Sequence, residues 1–202
     1  MSAQAWGCWT RENLILDLPF KGDRNYLRLA DIFRALVEMA LERFGPQAQV
    51  DSLTIRRPLN SAILLTFERP GGFSGSFRVR SGGESIPGWL VETHKPVTRI
   101  PFNMPSVSAV AVSGPGFARV LEPLPGCAML DIVVALMKIV AGHIDPRQWW
   151  LCQLNLDTPL TDVFPIEVRI GHRLGERFVV FDIVQCSVMI GSARCILEIA
   201  DS

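Results

Sequence analysis

Two aspartates stand a hundred residues apart, each opening a helix-like stretch: Asp31-Ile32-Phe33-Arg34-Ala35-Leu36 and Asp131-Ile132-Val133-Val134-Ala135-Leu136. Asp131 follows the turn sequence Leu124-Pro125-Gly126-Cys127-Ala128-Met129-Leu130. A carboxylate beside a Pro-Gly turn at a helix start could act as base or nucleophile toward a carbonyl whose oxygen is held by backbone N–H groups, such as that of Gly126, with help from the helix dipole. One such donor is worth roughly 3 kcal/mol in a transition state. The same placement also has a structural reading, because acidic side chains near helix N-termini are stabilised there by about 0.3 to 1 kcal/mol. Asp31 is preceded by Asn25-Tyr26 and lacks the Pro-Gly turn.

The other groups with chemical potential are dispersed. His94, His143 and His172 stand singly, in a linking segment, at the far end of the second helix and in an expected hairpin turn, where ordinary surface or helix-end histidines also occur. His94 is the one to consider as a substitute acid. The five cysteines are odd in number and show no CxxC spacing, so no disulfide framework, zinc site or other metal centre is expected, nor any cofactor. Cys127 could be an activated thiol at a helix N-terminus, but Asp131 one turn on would raise its pKa and no base adjoins it. Small buried filler is its alternative role. Arg56-Arg57 stands opposite Asp157-Thr158 in the repeat, as a phosphate contact or as a solvated turn. Trp149-Trp150 is read as packing between halves rather than as a cofactor box.

The elements that must position these residues are duplicated. Pro46 and Pro146 each lie ten positions after the leucine of the Asp-Ile segment. Leu53-Thr54-Ile55-Arg56-Arg57-Pro58-Leu59-Asn60 is then matched by Leu154-Asn155-Leu156-Asp157-Thr158-Pro159-Leu160-Thr161, displaced by 101. A repeat of that length indicates paired small domains rather than a solenoid. Residues 26 to 44 place Leu29, Ile32, Phe33, Leu36, Val37, Ala40 and Phe44 at helical spacing, closed by Gly45-Pro46. Strands are expected at 49 to 57, 61 to 69, 73 to 80 and 88 to 93, with turns at Pro58, Pro70-Gly71-Gly72 and Gly82-Gly83. The three-proline segment 93 to 105 reads as the link. Beyond it come a strand at 107 to 112, a helix at 128 to 144 that is apolar almost all round, and strands at 148 to 157, 162 to 170, 176 to 187 and 189 to 199. One helix followed by a meander of strands, twice over, gives an α+β fold with a sheet wrapped around each long helix.

The chain has 202 residues, 49% of them apolar, with 20 basic against 20 acidic side chains, which disfavours disorder and a nucleic-acid footprint. The longest apolar stretch, 128 to 144, is too short and too charged to span a membrane. The start of the chain lacks signal-peptide character, so a soluble cytoplasmic protein is expected.

Leu124-Pro125-Gly126-Cys127-Ala128-Met129-Leu130-Asp131 resembles a segment of the hot-dog-fold dehydratases of bacterial fatty-acid synthesis, especially the bifunctional β-hydroxydecanoyl-acyl-carrier-protein dehydratase/isomerase. There, Pro-Gly-Cys, three residues and the catalytic Asp open the central helix. Phe20-Lys21-Gly22-Asp23 is similar to the Phe-x-Gly-Asp that follows the catalytic His in those enzymes. With the repeat, the resemblance implies a double hot dog like that of polyketide-synthase dehydratase domains, with halves at 1–95 and 105–202. It implies Asp131 as catalytic candidate, Asp31 and His94 as further candidates, and Pro125, Gly126 and Cys127 against substrate. The partner it implies is an acyl thioester on acyl carrier protein or CoA, bound by a monomeric pseudo-dimer or a homo-oligomer of it.

The departures from the pattern bear on activity. The family's His lies fourteen residues before the Asp, where this chain has Phe117, and Pro19 precedes Phe20. The family's Gln, four residues after the Asp, is Ala135 here and Ala35 in the other half. Dehydration of a 3-hydroxyacyl thioester needs a base for the proton beside the carbonyl and an acid for the departing hydroxyl, and losing one costs about 10² to 10⁴ in rate. Three readings follow: a dehydratase-like protein with an incomplete acid-base pair, a hot-dog thioesterase that uses Asp131 alone, and a non-catalytic acyl-binding or assembly subunit.

Overall fold

The computed structural model describes residues 13–102, 106–144 and 149–197, so Cys8, the end of the linking segment and Pro146 lie outside the described residues. Its elements in chain order are β1 (Leu14–Leu16), β2 (Phe20–Lys21), α1 (Leu29–Phe44), β3 (Gln49–Ile55), β4 (Ile63–Thr66), β5 (Gly75–Ser81), β6 (Glu84–Glu92) and β7 (Arg99–Ile100). After a short 3₁₀ turn at Val107–Ala109 come β8 (Val112–Gly114), β9 (Phe117–Val120), α2 (Met129–Ile144), β10 (Trp149–Leu156), β11 (Ile166–Leu174), β12 (Phe178–Gln185) and β13 (Val188–Leu197). Two helices thus accompany one large antiparallel sheet, in order β1-β4-β6-β5-β3-β10-β13-β12-β11-β9-β8.

Both helices form where apolar spacing demanded them. α1 buries Leu29, Ile32, Phe33, Leu36, Met39 and Ala40 and ends at Gly45, whose φ of 88° and N–H bond to the Leu41 carbonyl close the last turn. On α2, Ile132, Val133, Ala135, Leu136, Met137, Val140 and Ala141 are buried, Val134 and Ile139 are half-buried, and Lys138 is exposed. No helix among the described residues is long and apolar enough to cross a membrane.

The two parts of the sheet join where β3 pairs antiparallel with β10, with Leu53 opposite Leu154, Ser52 opposite Asn155 and Thr54 opposite Gln153. Each of these residues has its repeat partner 101 positions away, so a local pseudo-two-fold axis passes through the Leu53–Leu154 pair. Cross-strand neighbours project to the same face. Leu53 and Leu154 are both fully buried, so one apolar face runs unbroken across the junction. Such burial contributes about 1.5 to 3 kcal/mol per leucine.

Fine details of the strands repeat at the same displacement. In β3 the register against β5 slips at Asp51, and in β10 the register against β13 slips at Cys152. Gly75 sits opposite Ile55, and a Cβ there would fall 2.6 Å from the Thr54 carbonyl oxygen. Gly191 sits opposite Leu156, and a Cβ there would collide with the Asn155 carbonyl oxygen. Bulge and close-approach glycine therefore recur together, as a duplicated strand pair would carry them.

The wiring differs between the two parts. The second is the expected meander, β11 to β12 to β13, each paired with the next. In the first, β4 and β5 both pair antiparallel with β6, so β4 and β5 run parallel with β6 between them. The Pro70-Gly71-Gly72 segment is consequently a crossover rather than a hairpin turn. Its anchor is Phe67, which packs edge-on against Phe44 at 5.5 Å and Phe77 at 5.6 Å. Gly82 and Gly83, both at positive φ, make the two-residue turn that locks β5 to β6.

Two local expectations are corrected. Residues 107–109 form a 3₁₀ turn instead of a strand, because the Ser106 and Val107 carbonyls accept bonds from the N–H groups of Ala109, Val110 and Ala111. His172 lies within β11, opposite Val180, rather than in a hairpin turn. The linking segment also carries β7, which pairs in parallel with β2.

Candidate functional site: a carboxylate cluster at the helix starts

Asp31 and Asp131 occupy the first turns of their helices in matching backbone settings. The N–H groups of Asp31 and Ile32 bond to the Arg28 carbonyl, and those of Asp131 and Ile132 to the Ala128 carbonyl. Because the helix starts meet at the junction, Arg28 reaches across and bonds through Nη2 to Asp131 Oδ1. Arg34 bonds to Asp131 Oδ2 at 3.1 Å, so both oxygens of this carboxylate face guanidinium groups. Asp31 is held by Lys21 Nζ at 2.7 Å, with Arg28 and Arg34 each 3.8 Å away. Both aspartates are 7% exposed and Arg28 is 8% exposed, whereas Arg34 is half open to solvent.

The linking segment completes the cluster. Phe20 and Lys21 run beside Arg99 and Ile100, and the Gly22 N–H bonds to the Ile100 carbonyl. This carries Phe102 over the cations, with its ring 4.4 Å from the Arg28 guanidinium and 5.0 Å from the Lys21 amine. Two carboxylates are thereby matched by three cations under an aromatic lid. Arg28 Nη1 and Asp31 Oδ2 face each other, buried and without hydrogen-bond partners.

The Pro-Gly sequence makes a tight turn. The Cys127 N–H bonds to the Leu124 carbonyl at 3.1 Å, and Gly126 takes φ +73° at the third position, as a Pro-Gly type II turn requires. Pro125 and Gly126 are exposed and Cys127 is half-buried. Burial, and then the Asp131 charge, push the Cys127 thiol up against a smaller opposing effect of Arg28, so its thiolate is disfavoured.

The remaining candidates stay apart from this cluster. His94 is exposed in the bend after β6, and no histidine is among the hydrogen-bond or ion-pair partners of Asp131. Phe117 opens β9 and Pro19 immediately precedes β2. Arg57 pairs with Glu92 at 2.9 Å and Arg56 stacks on Phe73 at 3.9 Å, so neither stands as a free phosphate ligand. The cavity beside α2 is lined by Val134 and Lys138, one and two turns beyond Asp131, and Gly126 and Asp131 do not line it.

Sequence reasoning found both aspartates but missed Arg28, Arg34, Lys21 and Phe102. A local signal did exist, since Arg28 and Arg34 flank Asp31 at three residues on either side, a spacing at which helical side chains meet. Nothing local signals that the same arginines serve Asp131.

No protein family model matches the chain, and no curated protein matches it. Solved structures do. The pyran synthase domain from module nine of the sorangicin pathway is 11% identical, with 94% of this chain and 93% of that one covered at a TM-score of 0.50. The dehydratase domain of PpsC from Mycobacterium tuberculosis, solved in complex with C12:1-CoA, is 10% identical, with 92% and 94% covered at a TM-score of 0.54. At such identity the likeness is one of fold, and that fold is the hot dog.

Proposed function

We propose that the chain is a double hot dog, with halves at 1–95 and 105–202, that binds an acyl thioester on CoA or acyl carrier protein without dehydrating it. The observation that carries this reading is the state of Asp131. A dehydratase needs an acid and a base within reach of one substrate, and here the carboxylate at the helix start is buried with both oxygens on Arg28 and Arg34. With Phe117 and Pro19 where the resemblance expects histidine, the acid-base pair is incomplete. Hydrolysis through Asp131 is disfavoured on the same ground, because both carboxylate oxygens are already occupied by guanidinium donors and neither is directed at a substrate. The CoA thioester bound by the PpsC dehydratase domain supports the ligand class. The local pseudo-two-fold at Leu53–Leu154 supports a monomer in which the halves replace the two subunits of a dimer.

The test is direct. Purified protein is incubated with crotonyl-CoA and a 3-hydroxyacyl-CoA while hydration, dehydration and thiol release are followed, and dodecanoyl-CoA binding is measured by calorimetry. Saturable acyl-CoA binding with neither reaction above the Asp131→Asn background is expected. Turnover that the substitution abolishes would refute the non-catalytic reading, and absence of acyl-CoA binding would refute the ligand class.

A further inference from the structure

The cavity beside α2 shares Arg28 with the carboxylate cluster but has neither aspartate in its wall. It lies between the approach to α1, the middle of α2 and the start of β10, with Arg24, Tyr26, Arg28, Lys138, Trp149 and Trp150 in its wall. Its volume is ≈ 50 Å³. A single water requires about 10 to 15 Å³ of such space, so the cavity admits a small polyatomic group and excludes an acyl chain. Arg24 and Lys138 therefore bring two cations to the wall of a space of the size of a tetrahedral oxyanion, beside an Arg28 already engaged by Asp131.

Those cations are not balanced locally. Neither Arg24 nor Lys138 has an acidic partner within ion-pair distance among the described residues, and the carboxylates near Arg28 already share Lys21 and Arg34. The Lys138 amine is pushed below its ordinary range, by burial first and then by Arg24 and Arg28. Like charges are thus held together at a cost that a bound anion would remove. The pairing of a guanidinium with an amine favours phosphate over carboxylate. A carboxylate is satisfied by one planar guanidinium fork, whereas an anion with three outward oxygens can take a guanidinium and an amine together.

We propose that this cavity is a phosphate-ester site, with Arg24 and Lys138 as ligands between aromatic walls. The inference rests on the acyl-thioester reading, because CoA and the pantetheine arm of a carrier protein both present phosphate esters. It places the phosphate two turns along α2 from Asp131.

The test uses calorimetry at low salt on the full chain, with inorganic phosphate, CoA, pantetheine and a phosphopantetheinylated carrier protein as probes. The wild type is compared with Arg24→Gln/Lys138→Gln and with the charge-retaining Arg24→Lys/Lys138→Arg. CoA is expected to bind and pantetheine, which lacks phosphate, to bind at least tenfold more weakly. Each lost charge-assisted bond should weaken CoA about tenfold, so the Gln pair should lose about a hundredfold while the charge-retaining pair stays within a few-fold. Inorganic phosphate should compete. CoA and carrier arms separate the two sources, since the tighter one is the ligand. Equal binding of CoA and pantetheine, or CoA affinity unchanged in the Gln pair, would overturn the site even if acyl-CoA still binds. Phosphate binding lost in the Gln pair, with neither CoA nor carrier favoured over free phosphate, would uphold the site and overturn the acyl-thioester reading.

Discussion

Replacing Asp131 by Asn isolates what the helix-start carboxylate does. The change keeps size and leaves an acceptor for Arg28 but removes a charge that is 90% buried and faces two guanidiniums. Breaking a buried ion pair from one side costs about 3 to 5 kcal/mol, because the partner is left buried and uncompensated. The lower end applies here, since Asn still accepts one bond and Arg34 turns to solvent. For a chain of 202 residues, about 3 kcal/mol lowers the melting temperature by roughly 6 to 12 °C. The double variant Arg28→Met/Asp131→Leu should lose less than the two single variants combined, with a coupling of about 2 kcal/mol or more, because a well-packed apolar pair replaces a buried ionic one at little net cost. Thermal and urea unfolding of the four proteins give the cycle. A carboxylate kept for catalysis behaves oppositely, since removing a functional group from a strained site often stabilises the fold. A higher melting temperature in Asp131→Asn, or additive single effects, would refute the structural account of this cluster.

Two further outcomes follow from the geometry. Gly191→Ala should destabilise by about 1 to 3 kcal/mol through overpacking against the Asn155 carbonyl, measured by urea unfolding; a loss below 0.5 kcal/mol would show that β13 can retreat from β10. Lys138→Met should raise stability at pH 7, because the folded chain holds this amine below its unfolded pKa and so binds the proton less readily than the unfolded chain does. Wild-type stability then rises as pH climbs through the depressed folded value towards 10.5 and the variant lacks that rise. Solvent screening at this exposed residue keeps the gain below about 1 kcal/mol. A lower urea midpoint for the variant at pH 7 would contradict the reasoning.

The elements whose evidence is local were legible from the sequence. The 3.6-residue spacing of Leu29, Ile32, Phe33 and Leu36 fixes one face of α1, and the apolar run at 132–141 marks α2 as the more enclosed helix. The sheet order of the first part was not legible, because Pro70-Gly71-Gly72 closes a hairpin or carries a crossover equally well. The choice depends on whether β4 or β5 takes the edge of β3, a contest between distant pairings that no local residue decides. Short strands such as β2 and β7 are beyond periodicity altogether, since two residues cannot alternate. The site was half legible for a similar reason. The aspartates announce themselves by position, but an ion pair between Arg28 and Asp131 spans 103 residues and exists only because the junction aligns the helix starts.

That alignment explains how one arginine can make a symmetric pair of carboxylates inequivalent. The local pseudo-two-fold at Leu53–Leu154 and the matching Asp-Ile segments would give Asp31 and Asp131 equivalent surroundings if the repeat were perfect. Position 28 breaks the equivalence, because its counterpart at 128 is alanine and cannot reciprocate. The single guanidinium bonds Asp131 and only approaches Asp31, leaving the latter to Lys21 and the connecting strand. The same asymmetry gathers positive charge on one side of α2, where Lys138 and Arg24 adjoin Arg28 and where the counterpart of Lys138 in α1 is Glu38. One neutralised carboxylate cluster and one cationic cavity thus lie side by side, with Arg28 in the wall of both.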